Sequence, residues 1–239
     1  MLSKELIKRI RSLHKKKFRD EQQLFIIEGG KIINEALQFN PKCILTIYST
    51  SPENYSNPDF ETVQVTQSDL KKISTLNQPQ GDLAICRYLE GNSTSQIKLK
   101  IALDKIQDPG NLGTIIRLAA WFGVEEIIAS PDTVDCYNPK VIQATMGAIF
   151  NVNITYRDLK SYLEESHLPI YGALLEGENV YRSKLQKDGV LIMGNEGNGI
   201  SDELIPLISH PITIPKFGTG ESLNVAMATG ILLSEFYRD

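Results

Sequence analysis

The sequence predicts an α/β protein in two parts, a smaller α/β domain followed by a larger one built on a mostly parallel sheet. Three observations predict it. Apolar strand-like segments alternate with helical patterns along the 239 residues. That rhythm pauses at 90–97 (EGNSTSQI), a Gly, Ser, Thr and Asn-rich stretch that reads as a linker. Beyond it the strands are apolar throughout instead of alternating, as expected where helices cover both faces of a parallel sheet. The domains are therefore expected at residues 1–92 and 99–239, with 93–98 between them.

The first elements follow from periodicity. Residues 3–17 read as an amphipathic helix with Leu6, Ile10 and Leu13 on one stripe. A strand at 24–27 leads into Gly29-Gly30, and a helix with Ile32, Ile33, Ala36 and Leu37 inside should stop before Pro41. Strands are expected at 43–48, 62–66 and 83–89, and a short helix near 68–75 capped by Ser68 or Asp69. In the second part, strands are expected at 101–104, 126–130, 152–156, 169–175, 189–194 and 212–215, with a final helix over 222–238.

Composition excludes several classes. Apolar residues at 41 % and charged residues at 23 % are ordinary for a folded globular chain. Cys43, Cys86 and Cys136 are scattered, with no C-x-x-C pair, which argues against a disulfide framework or zinc site and suits a reducing compartment. No apolar run is long enough to cross a bilayer and no signal sequence is visible, so the protein reads as cytoplasmic. His14, His167 and His210 are isolated, which disfavours a catalytic triad or a histidine metal site.

Charge is uneven. Lys and Arg outnumber Asp and Glu 14 to 11 in residues 1–98 but are outnumbered 11 to 18 in residues 99–239. Within the first twenty residues the ratio is 8 to 2. A polyanion-facing arm would look like this, with Arg11, Lys15, Lys16, Lys17 and Arg19 as the candidate contacts; a solvated helix face is the plainer reading.

Ligands of an open parallel sheet bind beyond the carboxyl ends of its strands, and three turns there are unusual. In DPGNLGTIIRLAAWFG (108–123), Asn111 sits at the mouth of a helix whose buried stripe should be Ile115, Leu118, Ala119 and Phe122. Arg117 lies off that stripe, where a bound phosphate would explain it or solvent would accommodate it. LIMGNEGNGIS (191–201) carries G-x-x-G-x-G, which is neither the dinucleotide fingerprint nor a P-loop. Its Glu196 is either a helix cap or a hydrogen-bonding site residue. In ITIPKFGTGESLNVAMATG (212–230), Ser222 is a natural cap for the last helix, and Asn224 needs a hydrogen-bond partner if buried.

LDKIQDPGNLGTIIRLAAWFG, LIMGNEGNGIS and IPKFGTGESLNVAMATG together resemble, in order and spacing, the SpoU/TrmH family of RNA 2′-O-ribose methyltransferases in the SPOUT superfamily. The segment 11–37 looks like the substrate-binding domain that many members carry, similar in fold to ribosomal protein L30e. The resemblance implies a C-terminal domain ending in a deep trefoil knot, S-adenosylmethionine as cofactor, a homodimer that completes the site, and no metal. It implies cofactor contacts at Gly194, Ile214 and Leu223, with Leu174 a further candidate, and polar active-site roles for Asn111, Arg117, Glu196, Ser222 and Asn224. Family precedent gives the arginine matched by Arg117 a part in removing the ribose proton. An arginine is almost never neutral, so a grip on the neighbouring phosphate is the better physical role, with the base left open.

Ribosomal RNA is favoured over transfer RNA, by analogy of the N-terminal domain with a ribosomal RNA-binding fold. The rivals are a non-catalytic RNA-binding assembly factor of the same fold and a Rossmann-type nucleotide enzyme. The intact polar set counts against the first, and the glycine order against the second.

Overall fold

The computed structural model describes residues 2–55, 57–91 and 98–238. Most of the expected linker, 92–97, lies outside them. The chain forms two compact units, residues 1–90 with 135–150, and residues 91–134 with 151–239. The segment 135–150, read from sequence as part of the second domain, packs with the first unit.

In the first unit, β1 (Leu24–Glu28), β2 (Ile44–Ser49), β3 (Glu61–Gln64) and β4 (Asp82–Arg87) form a sheet in the order β1-β4-β2-β3. β4 is antiparallel to both neighbours, and β2 and β3 are parallel. The helix expected over 3–17 is two helices, α1 (Lys4–Ser12) and α2 (Lys16–Gln22), separated at 13–15. The break follows from the core: Ile10 and Leu13 are both buried with Leu24, Leu70, Ile73 and Leu83, and α2 then ends at Gln23 in left-handed backbone (φ 54°). Helix α3 (Gly30–Phe39) buries Ile32, Ile33 and Ala36 as expected, while Leu37 is only half-buried. Helix α4 (Gln67–Ile73) is capped earlier than either expected residue, by Thr66, whose hydroxyl accepts the Asp69 N–H at 3.1 Å.

In the second unit, β5 (Leu99–Leu103), β6 (Glu126–Ala129), β7 (Asn153–Tyr156), β8 (Ile170–Asn179), β9 (Gly189–Met193) and β10 (His210–Thr213) form one sheet in the order β10-β8-β9-β5-β6-β7. Every pairing is parallel. Helices cover both faces. Leu159 and Leu163 of α7 (Leu159–Glu164) pack with Ala102, Ile128, Ile170, Val190 and Ile192. Tyr171 follows Ile170 and so points to the other face, where it meets Phe236 of α8 (Val225–Phe236) edge-on. Helix α8 in turn packs on α5 (Pro109–Phe122). On α5 the buried residues are Leu112, Gly113, Ile115, Ile116 and Ala119, so the stripe is wider than expected and Leu118 and Phe122 are only half-buried. Helix α6 (Pro139–Thr145) belongs to the first unit. Among the described residues no helix is long and apolar enough to cross a membrane.

Candidate active site

The three glycine-bearing turns meet at the carboxyl ends of β5, β9 and β10. Asp108 caps α5 by accepting the Asn111 N–H at 2.8 Å, which leaves the Asn111 amide free to act across the site. Its Nδ2 donates to Glu196 Oε1 at 2.8 Å, and its Oδ1 accepts from Asn224 Nδ2 at 2.9 Å. Asn224 Oδ1 accepts the Ala226 and Met227 N–H groups at 3.0 and 3.2 Å. The start of α8 is thus Val225, and its cap is Asn224, not Ser222 as expected. A correctly oriented asparagine amide has one acceptor and one donor end, so Asn224 holds the helix with one and Asn111 with the other.

The turn after β9 closes on itself. Asn195 and Gly199 exchange two backbone hydrogen bonds of 2.9 Å, and Asn195 Oδ1 accepts from Gly197 and Asn198 N–H. Asn195 Nδ2 donates to the Lys105 carbonyl at 2.7 Å, tying this turn to the one after β5. Buried Asp104 adds a second tie, its Oδ2 accepting the Ser201 N–H at 2.7 Å. Gly194 is obligatory: a Cβ there would lie 2.2 Å from the Gly199 carbonyl carbon and 2.3 Å from the Ile200 nitrogen. No expectation from sequence included Asp104 or Asn195; the asparagine's taste for turns was the one available signal.

The turns after β9 and β10 border a cavity of about 850 Å³, within the range of roughly 300–1,000 Å³ for small-molecule sites. Part of its wall comes from a break in the sheet. Along β10 the partner on β8 jumps from Gly172 to Glu178 between Pro211 and Ile212. The intervening residues leave the ladder, and Ala173, Leu174, Leu175 and Glu176 line the cavity. Gly194, Ile214, Leu223 and Leu174 all line it, as do Glu196 and Ser222. Asn111 and Asn224 stand beside it through their bonds to Glu196 and to each other. Arg117 is exposed on α5 and is not among the lining residues. The charged lining residues are Glu176, Glu196 and Glu221 against Lys216, a balance that favours a cationic ligand.

The basic arm divides. Arg11, Lys15, Lys16 and Lys17 are exposed. Arg19 is 2 % exposed; it donates to the Leu13 carbonyl and pairs with Asp135 at 2.5 Å. It is a structural residue of the first unit, which corrects its assignment to RNA contact: a guanidinium consumed inside cannot reach a phosphate.

Residues 98–234 match the model of the SpoU rRNA Methylase family. The chain belongs to that family. Residues 4–84 match the MRM3-like substrate binding domain. The chain is 31 % identical to the 23S rRNA (guanosine(2553)-2′-O)-methyltransferase RlmP of Bacillus subtilis, over 95 % of its own length and 94 % of the relative's. Among solved structures it resembles a TrmH-family protein from Porphyromonas gingivalis with TM-score 0.89 and 37 % identity, covering 99 % of this chain and 98 % of that one. It matches the AdoMet-bound rRNA methyltransferase from Sinorhizobium meliloti at TM-score 0.89 and 30 % identity, covering 99 % and 95 %. Both likenesses extend over the two units of this SpoU-family chain.

Proposed function

We propose that this protein transfers the methyl group of S-adenosylmethionine to a ribose 2′-hydroxyl of ribosomal RNA. The observation that carries the reading is the hydrogen-bonded chain Glu196–Asn111–Asn224 beside a cavity lined by the turns after β9 and β10. The cavity fits the cofactor: Gly194 lets the Gly199–Ile200 backbone close tightly behind the cavity wall, Leu174, Ile214 and Leu223 supply apolar and backbone surface, and the carboxylates favour a sulfonium. When bound, the cofactor supplies an electrophilic methyl carbon.

This chain's own residues then position the acceptor, which can supply much of the rate of an in-line displacement. The Asn111–Glu196 pair fixes the cavity wall, and Ser222 offers a hydroxyl to the ribose. Arg117 grips the phosphate beside the reacting ribose and stabilises the developing alkoxide. Because it stands outside the lining, we assign it to a site completed by a second copy of the chain. The homodimer is supported by exposed Trp121 and Met227 on α5 and α8, two helices that pack together.

Ribosomal RNA as substrate is supported by the names of the relatives and by the substrate-binding match at 4–84. On the same support we assign residues 1–92 to RNA binding, with Arg11, Lys15, Lys16 and Lys17 outward, 93–98 to the linker, and 99–239 to methyl transfer. The family likeness further supports a trefoil knot in the last segment, and the likeness to a bacterial rRNA methyltransferase supports a cytoplasmic location.

The test pairs calorimetry with turnover. S-adenosylmethionine should bind where NAD and ATP do not, and rRNA from cells lacking the protein should gain a 2′-O-methyl group. Arg117→Ala should keep cofactor binding and lower kcat by on the order of 10²–10³, the cost of removing a donor aimed at developing charge. Wild-type turnover by that variant removes Arg117 from the site.

A further inference from the structure

Phe217 is 92 % exposed, the most exposed large apolar side chain among the described residues. It stands on the turn after β10, in a run from Phe217 to Asn224 that is exposed at every position. Nothing in the fold accounts for it. A Cβ built on Gly218 or Gly220 would meet no atom within 4 Å, so both glycines beside it face open space, and Phe217 fills no core. Yet it lines the cavity, next to Lys216, the one cation among the described lining residues. An aromatic ring held in water beside a cavity, with a cation adjacent, matches what single-stranded RNA offers: a flat base joined to a phosphate.

We infer that Phe217 is the platform on which a nucleobase adjoining the methylated ribose stacks, with Lys216 beside that nucleotide's phosphate. The inference rests on the methyl-transfer reading. If the reacting ribose lies at the cavity, its own base and the next one must lie within a nucleotide's length of the rim, and Phe217 is the aromatic ring at that rim. Stacking accepts any base, because each has a π-face. Phe217 would therefore hold the target nucleotide without selecting its sequence. Apolar burial alone would ask only for bulk; stacking asks for a planar ring, and this difference makes the idea testable.

The experiment measures steady-state methylation of rRNA from cells lacking the protein, with Phe217→Ala, Phe217→Leu and Phe217→Trp, and titrates each variant with S-adenosylmethionine by calorimetry. Phe217→Ala and Phe217→Leu should both raise KM for rRNA by roughly 5- to 150-fold, the span of base–aromatic stacking, while Phe217→Trp keeps the wild-type value. Cofactor affinity should be the same in all. In a Trp121→Phe background, Phe217→Trp is the sole tryptophan, and its fluorescence should be quenched by added rRNA. Rescue by leucine, an unquenched tryptophan, or unchanged KM in Phe217→Ala would overturn the inference. So would a parallel loss of cofactor affinity, which would place the ring over the methyl donor, or a changed sedimentation coefficient, which would place it against a second copy. A wild-type protein that binds the cofactor but leaves rRNA unmethylated would instead count against the function proposed above, before any variant is made.

Discussion

Asn224 shows how much one side chain can carry. Its carbonyl oxygen caps α8 and its amide nitrogen reaches Asn111, which in turn reaches Glu196. The two roles can be separated. Asn224→Asp keeps the acceptor and loses the donor, so thermal stability should stay close to wild type while methyl transfer falls. Asn224→Ala loses both, and should also cost about 0.5–2 kcal/mol of stability, the usual worth of a cap. Equal melting curves for the alanine variant and wild type would show that the cap bears no load. His14 sets a pH dependence in the first unit. Burial lowers its pKa below the ordinary 6.5, opposed by the Ile73 carbonyl and by Glu28, while Arg11 and Arg19 add to the lowering. The unfolded chain therefore binds the extra proton more readily. The first unit should be most stable above 6.5 and lose stability as pH falls below it, until the folded-state value is passed. Denaturant midpoints between pH 7.5 and 5 should fall in the wild type and fall less in His14→Gln.

At the scale of elements, the basic N-terminus was legible in composition but not in direction. The break at 13–15 divides the expected helix, turning Arg19 inward to Asp135 while Lys15, Lys16 and Lys17 face water. The two sets should behave differently. Neutralising the three lysines should weaken rRNA binding and flatten its salt dependence, by about 0.7 in log–log slope for each phosphate no longer neutralised, with melting unchanged. Asp135→Ala should instead destabilise the protein by roughly 3–5 kcal/mol, because it leaves a buried guanidinium unpaired. A lysine variant with wild-type salt slope would leave the arm as a solvated face. The same scale explains the cavity wall: β8 reads as one strand to 175, yet the skip in its pairing with β10 frees 173–176 to border the site. Strand pairing is a long-range choice, and no local pattern encodes where it lapses.

For the whole molecule, the second copy proposed above rests on the exposed Trp121 and Met227 of α5 and α8 and on the place of Arg117 outside the cavity lining. Sedimentation at working concentration should give a dimer, and Trp121→Glu should shift it to monomer with loss of turnover but not of the individual fold. An active monomer would reject the shared site. Mixing Arg117→Ala chains with chains altered at Asn111 should restore part of the activity, since one of the two sites in each mixed dimer would then be intact.

The sequence by itself determined the α/β class, the strand order along the chain, the glycine turns and the family, because each is written locally: in periodicity, in turn chemistry and in the spacing of three motifs. It also placed Asn111, Glu196 and Asn224 at strand ends. Only the tertiary structure decided that these three join in one hydrogen-bonded chain, that Asn224 rather than Ser222 caps α8, that Arg19 is internal, and that Phe217 stands in solvent at the cavity rim. The reason is physical. Whether a polar or aromatic side chain meets protein or water depends on residues tens to a hundred positions away, and on backbone donors whose pairing is settled only when the sheet and its helices have closed.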